Sequence, residues 1–161
     1  MKPRLDDIDH ELLALLQADA GRTLFELGGD VGLSASAVQR RIRRLEQTEV
    51  IARRTIELGP AFTADVIRAV CLVTMERHIE HHITKFRERM LAAPEVQQAY
   101  DVSGDWDYVV LLATVDMPLM REAVERLFEG DENVRRFNTL FVFDPIRTGN
   151  AIPTRPANLD M

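Results

Sequence analysis

Four arginines fall within five consecutive positions of the chain, at Arg40, Arg41, Arg43 and Arg44. Arginine can donate two parallel hydrogen bonds to guanine and can also neutralise phosphate groups, so such a cluster is typical of nucleic-acid binding. The protein as a whole is acidic, with a net charge of −6. Residues 35–54 nevertheless contain six arginines and only two glutamates, which gives this segment a local charge of +4. The basic charge is therefore concentrated in one segment.

The arginine cluster lies on a helix that the sequence predicts from about Ala35 to Gln47, with Ser34 as its N-cap. At 100° per residue, Val38, Ile42 and Leu45 form a buried stripe. The opposite side carries polar and basic residues: Ser36, Arg40, Arg43 and Arg44, flanked by Gln39 and Arg41. An ordinary solvent-exposed helix face is the alternative, but such a face usually mixes acidic and basic residues in pairs.

A short helix over "TLFELGGDV", capped by Thr23, precedes the glycine turn "VGLS", so the two helices predict a helix-turn-helix motif. We expect Arg40 and Ser36 to reach base edges and Arg43 and Arg44 to meet phosphates. The segment "VIARRTIEL" is predicted to be a strand, and we expect its Arg53 and Arg54 to add contacts with the DNA backbone. The predicted DNA-binding residues are Ser34, Ser36, Gln39, Arg40, Arg41, Arg43, Arg44, Arg53 and Arg54.

A second polar cluster lies in "YDVSGDWDYV", which carries three aspartates around a glycine. Paired carboxylates can act as a general acid and base, but the motif contains no nucleophile and no histidine. A polar turn between two strands is the simpler interpretation. His78 and His82 are spaced i, i+4 as in a metal-binding helix, but no third ligand is evident, so we expect no metal and no cofactor.

The second part of the chain alternates strands and helices in the order βαββαβ, which predicts a ferredoxin-like sandwich and an α+β fold overall. Two of its strands, "AVCLVTM" and "YVVLLATV", are apolar on both faces, whereas two helices can cover only one face of the sheet. We therefore expect a second copy of the chain to cover the other face. The predicted domains are 1–57 for DNA binding, 58–67 as a linker, 68–153 for the sandwich and 154–161 as a flexible tail.

The composition limits where the protein works. No run of about 18 apolar residues is present, so no membrane span is predicted. The first residues, "MKPRLDDIDHELL", lack the apolar core of a secretory signal. The chain has one cysteine, Cys71, which excludes an internal disulfide and favours a reducing compartment. We expect a cytoplasmic protein without contact with a membrane.

Four stretches of the chain carry a specific resemblance: "LDDIDHELLALLQADAG" (5–21), "VGLSASAVQRRIRRLE" (31–46), "PEVQQAYDVSGDWDYVVLL" (94–112) and "NVRRFNTLFVFDPIR" (133–147). Together they resemble the leucine-responsive/AsnC, or feast/famine, family of prokaryotic transcription regulators. The resemblance covers the chain up to Pro153. It departs from the family pattern at Glu49, where a glycine is usual, at residues 28–30, and at Ala35, where a proline is usual.

The resemblance implies an N-terminal winged helix-turn-helix and a C-terminal sandwich that forms dimers through its sheet, which assemble further into tetramers or octamers. It also implies that the loop in "YDVSGDWDYV" lies at the contact between dimers and forms an effector pocket, usually for an amino acid. The pocket residues that it implies are Tyr100, Ser103, Gly104, Asp105, Asp107, Thr139 and Leu140.

The sequence thus predicts a sequence-specific DNA-binding regulator that responds to a small metabolite and is not an enzyme. One alternative is an architectural protein that binds DNA with little sequence preference. Another is an enzyme similar to the sirohaem decarboxylases, which resemble this family in both domains. Those enzymes carry a cluster of His, Asn, Tyr and Arg around the first sandwich strand, and "RAVCLVTMERH" lacks it.

Overall fold

The computed structural model describes residues 4–154, which divide into two compact units. The first unit contains the chain up to Glu57 together with the segment that begins at Arg147. The second unit runs from Leu58 to Ile146. The predicted linker 58–67 therefore belongs to the second unit, and residues 147–153, predicted as part of the sandwich, belong to the first.

The described part of the first unit contains three helices: α1 (Asp7–Ala18), α2 (Leu24–Val31) and α3 (Ala35–Gln47). Each begins at a residue whose side chain caps the free backbone N–H groups of the first turn. Asp6 caps α1 and Thr23 caps α2, each in a reciprocal capping box, and Ser34 accepts a bond from the N–H of Ala37 at 3.3 Å. Their apolar sides meet in a core formed by Leu12, Leu27, Val38 and Ile42.

The turn between α2 and α3 is tight. Gly32 ends α2 with φ +67°, a left-handed conformation that favours glycine. The N–H of Leu33 donates back to the carbonyl of Gly28 at 2.9 Å. A Cβ on Gly28 would lie only 2.4 Å from the carbonyl oxygen of Leu33, so this position has no room for a side chain. The glycines therefore fix the short distance at which α2 and α3 pack.

The predicted wing strand is wrong for the described chain, because no residue between Val50 and Leu58 is in a strand. A strand needs a hydrogen-bonded neighbour, and the described part of the first unit contains only helices and irregular segments. Residues 52–58 are exposed. The alternation of apolar and polar residues favours a strand, but it does not show whether a partner strand lies beside it.

The second unit confirms the predicted order. After a short helix, α4 (Pro60–Thr63), its elements are β1 (Ile67–Met75), α5 (Glu80–Ala92), β2 (Val96–Asp101), β3 (Tyr108–Thr114), α6 (Met117–Val124) with a π-helical turn over Glu125–Glu129, and β4 (Val134–Phe141). The four strands form one antiparallel sheet in the order β2-β3-β1-β4.

Burial alternates along the two central strands. One face packs on the helices and is fully buried, with Cys71 and Val73 of β1 beside Val110 and Leu112 of β3, above Phe86 and Phe128. The opposite face, which we call the open face, carries apolar side chains that stay only partly buried in a single chain. Its central members are Val70, Leu72, Val109 and Leu111. The predicted two-sided apolar pattern is present, and the described chain covers only one side of it.

The segment that follows the second unit returns to α1. The side-chain amide of Gln17 donates to the carbonyl of Ile152 at 3.1 Å and accepts from its N–H at 2.8 Å. The hydroxyl of Thr154 lies 3.4 Å from the carbonyl of His10. Of the tail predicted over 154–161, residues 155–161 lie outside the described residues.

Candidate DNA interface and effector loop

The outward side of α3 presents a polar and basic surface. Val38, Ile42 and Leu45 are buried on its inner side, as the spacing predicts. Ser36, Gln39, Arg40 and Arg43 are exposed. Within residues 4–154, Arg40 and Arg43 form no ion pair, so their guanidinium groups are available to an external anion. We call these four residues the recognition face.

Two other arginines of α3 are held by α1. Arg41 donates to both Asp6 and Asp9, at 2.7 and 2.9 Å. Arg44, which the sequence assigned to phosphates, pairs with the other carboxylate oxygen of Asp9. Bonds to Asp6 and Asp9 raise the pKa of Arg41 above its ordinary value. The structure therefore separates the four clustered arginines into two that face solvent and two that bind α1.

Asp9 is the functional candidate that the sequence reasoning missed. Its side chain is completely buried, and its N–H also donates to Asp6 in the capping box at 2.8 Å. The backbone N–H of Asp9 and then the guanidinium of Arg41 lower the pKa of Asp6 from 3.8 to about 2. A signal was present in the sequence, since Asp9 lies next to Ile8 and three residues before Leu12, on the apolar side of α1.

The two arginines that follow α3 also divide into one that is paired and one that is exposed. Arg54 pairs with Glu46 of α3 at 2.9 Å, whereas Arg53 is exposed and has no ion pair among residues 4–154. Ser34, a predicted DNA contact, is occupied as the α3 cap, and its hydroxyl lies 3.1 Å from that of Ser36. A shallow groove beside the recognition face is lined by Arg22, Thr23, Leu24, Gln39, Ile42, Arg43, Glu46 and Arg54.

The predicted effector loop joins β2 to β3. Gly104 adopts φ +128°, and the N–H of Val102 donates to the carbonyl of Asp107 at 2.9 Å, which closes the turn. The Asp107 carboxylate accepts the N–H of Met75 at 2.7 Å and lies 3.0 Å from Nε2 of His78. Burial alone would raise the pKa of Asp107, but these two neighbours outweigh it, so the pKa falls below its ordinary value of 3.8. Asp107 thus anchors the loop to the end of β1.

A basic side chain that the sequence did not single out completes this end of the sheet. The guanidinium of Arg136, on β4, lies 4.4 Å from the centre of the Trp106 ring and donates to the carbonyl of Asp105 at 3.4 Å. The structure thus brings Ser103, Gly104, Asp105 and Asp107 together with Arg136. The position of Arg136 beside this loop depends on the strand register, because Arg136 pairs with Thr74, next to the Met75 that Asp107 binds.

The other predicted pocket residues lie elsewhere in the single unit. Thr139 is three residues further along β4 than Arg136, about 10 Å at the usual rise of a strand, and its hydroxyl faces the buried Cys71. Leu140 and Tyr100 are about half exposed, and the Tyr100 hydroxyl donates to Gln98 at 2.9 Å. The described chain therefore brings only part of the predicted set to the loop.

The remaining sequence candidates form no further centre. Among the described residues, no three His, Cys, Asp or Glu side chains are grouped in a way that could hold a metal ion. His78 pairs with Asp107, while His82 packs against the ring of His81. Burial raises the pKa of the Cys71 thiol, which keeps it in the unreactive protonated form.

Comparison with known proteins matches both units. Residues 5–46 match the AsnC-type helix-turn-helix domain, and residues 68–152 match the Lrp/AsnC ligand binding domain. The chain belongs to the Lrp/AsnC family. It is therefore a DNA-binding transcriptional regulator with a ligand-binding domain and not an enzyme.

Individual Lrp/AsnC relatives match along most of their length. The chain is 30% identical over 148 residues to an uncharacterized HTH-type transcriptional regulator of Haemophilus influenzae, covering 92% of this chain and 88% of that one. An AsnC family regulator from Agrobacterium tumefaciens has a similar structure, with a TM-score of 0.83, 27% identity, and coverage of 92% and 97%. A regulator from Neisseria meningitidis, solved as its L-Met complex, also gives a TM-score of 0.83, with 25% identity and coverage of 93% and 97%.

Across residues 4–154, no helix is both long and apolar enough to cross a bilayer.

Proposed function

We propose that this regulator recognises a specific DNA sequence through the recognition face of α3. The observation that carries the proposal is the pair of exposed arginines, Arg40 and Arg43, which the described chain leaves without ion pairs on a helix whose other side is fully buried. Arg40 and Ser36 lie in the N-terminal half of α3, the part of a recognition helix that reaches base edges. Arg43 and Arg53 then contact phosphates.

We further propose that the protein acts as a dimer formed through the open face, with dimers assembling into tetramers or octamers. The support is the partly exposed apolar surface around Val70, Leu72, Val109 and Leu111. Fully burying an aliphatic side chain contributes about 1.5–3 kcal/mol relative to leaving it exposed, so a second sheet gains substantially by covering this face. A symmetric dimer then favours a palindromic site with half-sites about 34–36 Å apart, or a multiple of it.

The effector that we propose is an amino acid bound at the loop between β2 and β3. The exposed Asp105 carboxylate offers a partner for an α-ammonium group, and the backbone of Gly104 with the guanidinium of Arg136 offers donors for a carboxylate. The relative solved with L-Met supports this chemical class. Tyr100, Thr139 and Leu140 take part in the pocket only when a second dimer brings another surface to the loop.

The test is a selection of bound duplexes from a random DNA library, repeated with each of the common amino acids present. We expect one palindromic sequence to be enriched and one or more amino acids to change its affinity. Asp107→Ala should abolish that response while leaving basal DNA affinity largely intact, because the loop loses its bonds to Met75 and His78. Enrichment of no sequence would instead support an architectural protein of low specificity.

A further inference from the structure

The DNA-binding proposal leaves the buried carboxylate of Asp9 without a role. A buried charge is costly unless it is paired and hydrogen-bonded. Asp9 meets this requirement with two arginines of α3 and with the backbone N–H of Asp6 at 3.1 Å. An apolar residue would fill the same space between the helices without needing any partner. The carboxylate is therefore explained better by what it does to Arg41 and Arg44 than by packing alone.

The two arginines flank the recognition face. Arg44 follows Arg43 directly, and its side chain is 48% exposed, so it lies at the edge of the surface that would approach DNA. Arg41 follows Arg40 and is 24% exposed. An arginine freed from α1 at either position is long enough to swing towards a phosphate. Phosphate contacts strengthen binding to every sequence alike, because they carry no base information.

We infer that Asp9 is a specificity-determining residue. Its carboxylate competes with DNA phosphates for Arg41 and Arg44 and holds both arginines away from DNA. Its effect is to limit affinity for non-specific DNA while Arg40, which has no ion pair among residues 4–154, remains free to read bases. Asp9 touches no DNA itself and acts through the two arginines, so it is a positioning residue. This inference rests on the proposed DNA-binding role of α3.

The salt dependence of DNA binding measures the effect directly. Each phosphate contact contributes about 0.9 to the slope of log affinity against log salt concentration. Releasing both arginines therefore steepens the slope by up to about 1.8. Between about 50 and about 200 mM salt, two added contacts make the loss of affinity about 12-fold larger. A purely structural role for Asp9 predicts the opposite, since a disturbed α3 would lose contacts.

The experiment uses the full chain and a non-specific duplex, with affinity titrated against salt. We expect Asp9→Asn to bind non-specific DNA more tightly at low salt, with a slope steeper than wild type by about 0.9 when Arg44 alone is released and by up to about 1.8 when Arg41 also leaves its second partner, Asp6. The triple variant Asp9→Asn/Arg41→Gln/Arg44→Gln should return to the wild-type slope. Glu11→Gln is the matched control, because it removes the same charge from an exposed position of the same helix and should leave the slope unchanged.

A second comparison keeps the inference testable if Asp9→Asn does not fold. Arg44→Gln leaves Arg41 to pair with Asp9 and should keep the wild-type slope, whereas Arg43→Gln should lower it by about 0.9. Equal losses for Arg43→Gln and Arg44→Gln would overturn the inference, as would a folded Asp9→Asn whose slope is not steeper than wild type. A wild-type protein with no salt-dependent DNA binding would overturn the proposed function itself, and the inference with it.

Discussion

Two adjacent glycines in α2 should respond in opposite ways to the same substitution. Gly29 is exposed, and an added Cβ would meet nothing within 4 Å. Alanine in a helix interior is more favourable than glycine by about 1 kcal/mol, so Gly29→Ala should stabilise the first unit by about that amount. Gly28 gains the same helix propensity, but its Cβ would stand 2.4 Å from the carbonyl oxygen of Leu33.

The 2.4 Å distance between the added Cβ on Gly28 and the carbonyl oxygen of Leu33 sets how far the two alanine variants differ in stability. Ordinary van der Waals contact begins near 3.4 Å, so the new methyl group overlaps a backbone oxygen by about 1 Å. The turn cannot move freely, because the N–H of Leu33 is bonded to the carbonyl of Gly28. Overpacking of this kind costs about 1–3 kcal/mol. Since the propensity gain is common to both variants, the difference between Gly28→Ala and Gly29→Ala isolates the close approach and should also be about 1–3 kcal/mol.

The assay must report on the first unit separately. The only tryptophan is Trp106, which lies in the second unit, so its fluorescence is unsuitable. Amide hydrogen exchange of α1 to α3 in the full chain, resolved by mass spectrometry, gives the free energy of opening for each helix. Gly28→Ala should also weaken DNA binding, because α3 is displaced from α2. If both variants stabilise the unit equally, the tight turn and the helix packing derived from it are wrong.

Three further predictions follow from other parts of the molecule. Glu49 has a left-handed backbone conformation, with φ +56°, so Glu49→Gly should raise the melting temperature. Relief of that conformation gains about 1–2 kcal/mol, which exceeds the entropy cost of a glycine, about 0.5–1 kcal/mol. A lower melting temperature would contradict this prediction. Leu72→Arg places a charge on the open face and should lower the mass measured by sedimentation. The control Leu91→Arg changes a residue of α5 that is 87% exposed and should leave the mass unchanged. Equal masses for Leu72→Arg and wild type would exclude the open-face dimer. Because the pKa of Asp6 in the folded state is about 2, below its ordinary 3.8, its stabilising contribution is present above pH about 4 and is lost as the pH falls towards about 2. Melting temperature against pH should therefore fall less steeply in Asp6→Asn than in wild type over that range, and parallel curves would show that Asp6 contributes nothing.

Much of the fold could be predicted because its signals are local. Thr23 and Ser34 begin helices at the predicted positions, since capping depends only on residues within three places along the chain. The spacing of Val38 and Ile42 gave the buried side of α3 correctly. The wing strand over "VIARRTIEL" was predicted wrongly because the described first unit supplies no partner strand.

The partners of the arginines could not be obtained from helical spacing. A helical projection gives the direction of Arg44 relative to its own axis but not what lies beside it. The carboxylate that binds it comes from Asp9, 35 positions earlier. Arg136 reaches the loop between β2 and β3 for a similar reason, through the pairing of β4 with β1. Both sites depend on contacts between distant segments, and only the tertiary structure brings those segments together.

The central claim is that the recognition face of α3 reads a DNA sequence, and the ratio of specific to non-specific affinity tests it most directly. The measurement compares wild type with Arg40→Ala on the selected operator and on a scrambled duplex at the same salt concentration. We predict a wild-type ratio of about 1,000 or more, and a loss for Arg40→Ala of about 1–3 kcal/mol on the operator alone. A wild-type ratio near one, or an equal loss on both duplexes, would contradict sequence readout by α3 and leave a helix that only binds phosphate.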